Sequence, residues 1–84
     1  METLNIKDIT HNLLSTAGLP FDDIKEVFDA ETHFTLYELV TQSPSVYLGR
    51  SGEILLAVNF LVQRIMEEKN PGAKMYFFID VGQH

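Results

Sequence analysis

The sequence predicts a small α+β domain in which helices cover one face of a three-stranded sheet. Period-two apolar alternation near residues 23–30, 33–40 and 74–81 supplies the strands, and helical spacing near residues 6–17 and 53–69 supplies the helices. Length sets the domain count. All 84 residues, 1–84, form a single domain, because a second core of ordinary size would need roughly 100 more.

Ile6, Ile9, Leu13, Leu14 and Ala17 recur at helical spacing, with Lys7, Asp8, Thr10 and Asn12 between them. This helix stops at Gly18, and Pro20 prevents its return. From Asp23 to Ala30 the pattern is that of a strand, with Ile24, Phe28 and Ala30 on one side and Lys25, Val27 and Asp29 on the other. Glu31-Thr32 turns the chain into a second strand, His33 to Val40, where Phe34, Leu36 and Val40 alternate with His33, Thr35, Tyr37 and Leu39. The turn has no Asn-Gly pair, so the hairpin rests on its flanking strands.

Ser43-Pro44 is a helix start, with an N-cap hydroxyl and a proline at the first helical position. One turn, Ser45 to Leu48, precedes Gly49-Arg50-Ser51-Gly52. A long helix then runs from about Glu53 to Lys69, roughly 25 Å at 1.5 Å per residue, and Asn70-Pro71-Gly72 ends it. The last strand, Lys74 to Val81, puts Met75, Phe77, Ile79 and Val81 on one face and Tyr76, Phe78 and Asp80 on the other. The element order is therefore α-β-β-α-α-β. A helical crossover joins the second and third strands, so as neighbours they would lie parallel. Three strands cannot hide both faces of a sheet, and Tyr37, Tyr76 and Phe78 are expected to be partly exposed or covered by something else.

Composition narrows the function classes. With 45% hydrophobic and 21% charged residues the chain is that of a folded protein. The absence of cysteine excludes disulfides, thiolate zinc sites and thiol catalysis, and makes a reducing cytoplasm the easier location. Acidic Glu2 and Asp8 stand where an export signal would need a basic segment and an apolar run. The longest unbroken apolar run, Ile54 to Val58, is far short of a membrane span. His11, His33 and His84 show no metal-ligand or acid–base spacing and read as solvated, so no metal, cofactor or enzymatic activity is expected. Twelve acidic against six basic residues give a net charge of −6, which argues against adhesion to nucleic acid by bulk electrostatics. The acids gather in Asp22 to Glu31 and at Glu67-Glu68, whereas Thr41 to Gly52 carries Arg50 and no acid.

That leaves the loop Gly49-Arg50-Ser51-Gly52 as the chemical candidate. Two glycines can take positive φ, and the helix that follows adds N–H groups and the positive end of its dipole, the arrangement that receives phosphate. Arg50 would add a charge-assisted contact. The same four residues would also serve as a plain turn, Gly49 ending one helix and Gly52 easing the start of the next. What favours phosphate is position, between two helices, after a hairpin and before a strand, where a KH domain carries its GxxG loop.

The run Tyr47-Leu48-Gly49-Arg50-Ser51-Gly52-Glu53-Ile54-Leu55-Leu56-Ala57-Val58-Asn59-Phe60-Leu61 resembles the KH segment of the bacterial Jag family, sporulation-protein-associated RNA-binding proteins. That segment typically reads as an aliphatic pair, GRRGE and an aliphatic-rich helix. Phe78-Ile79-Asp80-Val81 is similar to its last strand. The resemblance implies the type II KH arrangement over nearly the whole chain. It also implies single-stranded RNA, or single-stranded DNA, as partner. Phosphate contact would fall to Gly49, Arg50, Ser51 and Gly52, and base contact to a groove between the long helix and the strand bearing Phe34 and Leu36. Family members usually continue into an R-three-H domain, so the chain would be the N-terminal part of a longer protein. Ser51 stands where the family has a second basic residue, and Ile54 and Leu56 where it usually has Thr and Asp, changes that bear on affinity.

A second class of function starts from the long helix. Positions 54, 58, 61, 62 and 65 make a core stripe, and Leu56 and Phe60, four apart, fall off it. The N-terminal helix or the sheet edge is expected to cover that pair. Left uncovered, Leu56 and Phe60, or else the aromatic sheet face, would dock a protein, and the chain would be an interaction module on the same scaffold.

Overall fold

In the computed structural model, which describes residues 5–72 and 75–82, the Asn5 side chain accepts the Asp8 N–H at 2.8 Å and caps α1 (Ile6–Ala17). Gly18 closes it in the left-handed conformation, φ 74°, its N–H directed to the carbonyls of Leu14 and Ser15. β1 (Asp23–Asp29) and β2 (Phe34–Val40) form the antiparallel hairpin, one residue shorter on each arm than the alternation suggests. The turn chemistry explains the trimming. The Asp29 carboxylate accepts the Glu31 N–H at 2.9 Å, its carbonyl accepts the His33 N–H at 2.8 Å, and His33 adopts φ 60°, which no strand can continue.

α2 (Pro44–Lys69) is one helical segment with an interruption of four residues where a separate short helix, a loop and a long helix were expected. Pro44 opens it as anticipated, but the Ser43 hydroxyl makes no capping bond. The Ser43 N–H instead donates to Thr41 Oγ1 at 3.1 Å. The segment stops at Asn70, whose N–H bonds the Met66 carbonyl at 2.9 Å. β3 (Phe77–Val81) returns parallel to β2, giving a mixed sheet in the order β1-β2-β3. Lys74, the expected start of this strand, and His84 lie outside the described residues.

Among the described residues the fold is thus α+β, α1-β1-β2-α2-β3, two helices and a three-stranded mixed sheet. As counted elements this differs from α-β-β-α-α-β. Its core joins Ile9 and Leu14 of α1, Ile24, Tyr37, Leu39, Ile79 and Val81 of the sheet, and Tyr47, Leu55, Val58, Val62 and Met66 of α2. Of the two outcomes left open for Tyr37, the covered one is found: it is buried with Leu39, while Phe34 on the other face of β2 is exposed. Register decides this: Tyr37 pairs with Ile79, Leu39 with Val81 and Ile24 with Leu39, so those side chains share the helix-covered face. Tyr76 and Phe78 are exposed, as expected.

The α2 stripe is rotated from the expected one. Leu55, Val58, Val62 and Met66 are buried, whereas Ile54 and Leu61 face solvent. A polar residue sets the rotation. The Asn59 amide donates to the Ile79 carbonyl at 2.8 Å and accepts the Ile79 N–H at 2.8 Å, which locks that side of the helix onto β3. Alternation along β3 turns the backbone groups of Ile79 away from β2, so Asn59 occupies the place of a missing fourth strand.

α2 is long and apolar enough to pass for a membrane span by length and composition, which the longest apolar run does not suggest. The break at residues 49–52 interrupts it, and Leu55, Val58, Val62 and Met66 pack one side of it into the core. The radius of gyration, 12.8 Å, is close to the roughly 12 Å of a compact chain this size.

Candidate functional site

The interruption in α2 falls on the four residues singled out from sequence. Gly49 is extended (φ −62°, ψ 155°), and Arg50 (φ 53°), Ser51 (φ 62°) and Gly52 (φ 75°) are successively left-handed. Of the two glycines, both free to take positive φ, only Gly52 does. Arg50 and Ser51 carry the left-handed geometry instead, at a cost of about 1 kcal/mol each or slightly more. Arg50 and Ser51 are exposed. Helical geometry resumes at Glu53, so the first N–H groups of that turn lie at a helix start, with the positive end of the dipole toward the loop.

Both sides of the break are anchored. Before it, Tyr47 is fully buried and its hydroxyl donates to the Pro20 carbonyl at 2.8 Å, tying the first turn of α2 to the link between α1 and β1. After it, Leu55 enters the core and Asn59 grips β3. The loop is therefore a strained segment between fixed ends, not a free tip. A Cβ added at Gly49 would meet nothing within 4 Å, and its φ suits any residue. Neither packing nor conformation requires glycine there.

Other expectations are distributed differently. Phe34 and Leu36 lie on the sheet face away from the helices, and the strand beside α2 is β3. The groove drawn between the long helix and the Phe34–Leu36 strand is thus not formed. Its location was missed because both faces of β2 are apolar, and alternation alone does not choose between them. Leu56 and Phe60 were expected to be covered, yet they are 63% and 60% exposed. Neither α1 nor β3 reaches them, because the Asn59 contact turns them outward. Asn59 itself was missed: a lone polar residue in an apolar helix carries no local signal of a partner 20 positions away.

The titratable groups show structure more than chemistry. Burial raises the Tyr47 phenol above its ordinary pKa. Burial, then the hydrogen bond to Glu26 Oε2 at 3.0 Å and its negative charge, pushes the Tyr37 phenol well above its own. His11 meets the Phe21 ring edge-on at 5.0 Å and His33 lies 6.4 Å from the Phe28 ring. Among the described residues no group of His, Cys, Asp and Glu could hold a metal ion.

Comparison with protein-family models and with curated proteins finds no match to this chain.

Proposed function

We propose that the chain is a non-enzymatic KH-type module of the type II arrangement that binds single-stranded RNA, or single-stranded DNA, by phosphate contacts at Gly49, Arg50, Ser51 and Gly52. Read at its interruption, α2 supplies the two helices flanking a GxxG loop, which supports the type II reading. The observation that carries the proposal is Gly49. Glycine at a position whose φ and surroundings accept any side chain has a use outside the fold, and a close-approaching phosphate backbone is one. Left-handed geometry on Arg50 and Ser51 supports the same reading, since backbone strain without packing return collects at binding sites. The resemblance to the Jag family adds an R-three-H domain as the neighbour with which such a module would act.

A KH loop clamps about four nucleotides. One arginine in the loop and a net charge of −6 make binding weak and its salt dependence shallow. The test is a titration of labelled single-stranded RNA at low salt against the chain and against a variant carrying Arg50→Asp and Ser51→Asp. Saturable binding lost in the folded variant supports the proposal. No saturable binding by the unmodified chain, or equal binding by both, overturns it.

The exposure of Leu56 and Phe60 favours a second reading, a protein-docking module on this scaffold. There, Leu56→Asp with Phe60→Ser abolishes association with a partner and leaves RNA binding unchanged.

A further inference from the structure

The outer side of α2 beyond the loop carries a seam with a symmetry of its own. Glu53, Ala57, Phe60 and Arg64 recur at spacings of four, three and four, within about 60° of helix circumference at 100° per residue, directly opposite the buried arc of Leu55, Val58, Val62 and Met66. All four are exposed, and Leu56, Ile54 and Leu61 flank them with 63%, 40% and 44% of their surfaces open. No described residue covers this face.

The seam is self-complementary about the midpoint between Val58 and Asn59. Glu53 and Arg64 are equidistant from that point, and so are Ala57 and Phe60. A second copy laid antiparallel across a two-fold axis there brings each Glu53 to the other copy's Arg64, and each Phe60 ring to the other copy's Ala57, large against small. Within one chain Glu53 and Arg64 are three helical turns apart, so neither serves the other. The Arg64 guanidinium lies over the Phe60 ring at 5.9 Å, which holds the charge on the seam before any partner arrives. A parallel pairing would set Glu53 against Glu53 and Arg64 against Arg64.

We infer that this chain forms an antiparallel homodimer through the Glu53–Arg64 face of α2. The inference rests on the exposed face and not on the nucleic-acid reading. Three turns of helix make a small interface, so association is weak and reversible, with dimer accumulating at high micromolar concentration.

Sedimentation equilibrium of the chain over a hundredfold concentration range, with circular dichroism to check the fold, tests it. The expected result is a monomer–dimer equilibrium that Glu53→Arg alone and Arg64→Glu alone each weaken at least tenfold. The double exchange, Glu53→Arg with Arg64→Glu, restores it. Phe60→Asp on the folded chain abolishes it. A chain that stays monomeric at millimolar concentration overturns the inference. So does a dimer indifferent to the single exchanges, or one that the double exchange fails to rescue.

Discussion

Two helix interruptions in this molecule look alike in sequence and differ in physics. At Gly18 a single glycine takes the left-handed conformation, returns its N–H to the carbonyls of Leu14 and Ser15, and ends α1. At 49–52 the left-handed run extends over Arg50 and Ser51 as well as Gly52, and the remaining glycine, Gly49, is extended with open space where a Cβ would stand. The first glycine is explained by the hydrogen bonds it closes. The second site spends conformational energy on two residues with side chains and keeps a glycine that the fold does not need. A helix stop is explained by its own hydrogen bonds, whereas neither conformation nor packing explains the glycine at position 49.

Substitutions around the two sites test the difference between them. The largest effect is expected at Tyr47, whose buried ring and bond to the Pro20 carbonyl fix the chain ahead of the loop. Tyr47→Ala should cost about 3–5 kcal/mol in urea denaturation, comparable to the whole stability of a domain this small. On the far side of the loop, Asn59→Leu leaves the N–H and carbonyl of Ile79 without their partner. It should cost about 1–3 kcal/mol and expose the β3 edge, read as lower stability together with concentration-dependent light scattering. Gly18→Ala and Gly52→Ala force alanine to φ 74° and 75° and should each cost about 1–2 kcal/mol. Equal losses at the two would show that Gly52 is a conformational glycine like Gly18. Gly49→Ala is the smallest and differs in sign. At φ −62° alanine is unstrained, and thermal denaturation should show a gain of about 0.5 kcal/mol from the stiffer unfolded chain.

Much of the fold was legible because local chemistry carried it. The spacing of Ile6 to Ala17, the stop at Gly18, the hairpin and the end of α2 at Asn70 all follow from residues close in sequence. The loop was legible for the same reason, since the glycines mark it. The inward face of β2 was not, because Phe34, Leu36, Tyr37 and Leu39 make both faces apolar and only pairing with Ile24, Ile79 and Val81 chooses. The rotation of α2 was equally hidden. It depends on Asn59 finding Ile79, and that contact also decides that Leu56 and Phe60 are left outside. Within the loop, the freedom of both glycines to take positive φ did not reveal that Arg50 and Ser51 share it with Gly52 while Gly49 stays extended.

The most direct test is the affinity of Gly49→Ala for labelled single-stranded RNA at low salt, measured beside the unmodified chain. The expected result is a variant at least as stable that binds roughly tenfold more weakly, because its methyl group stands where the phosphate backbone would approach. Equal affinity in the two proteins would contradict it, and Gly49 would then be no more than part of a turn.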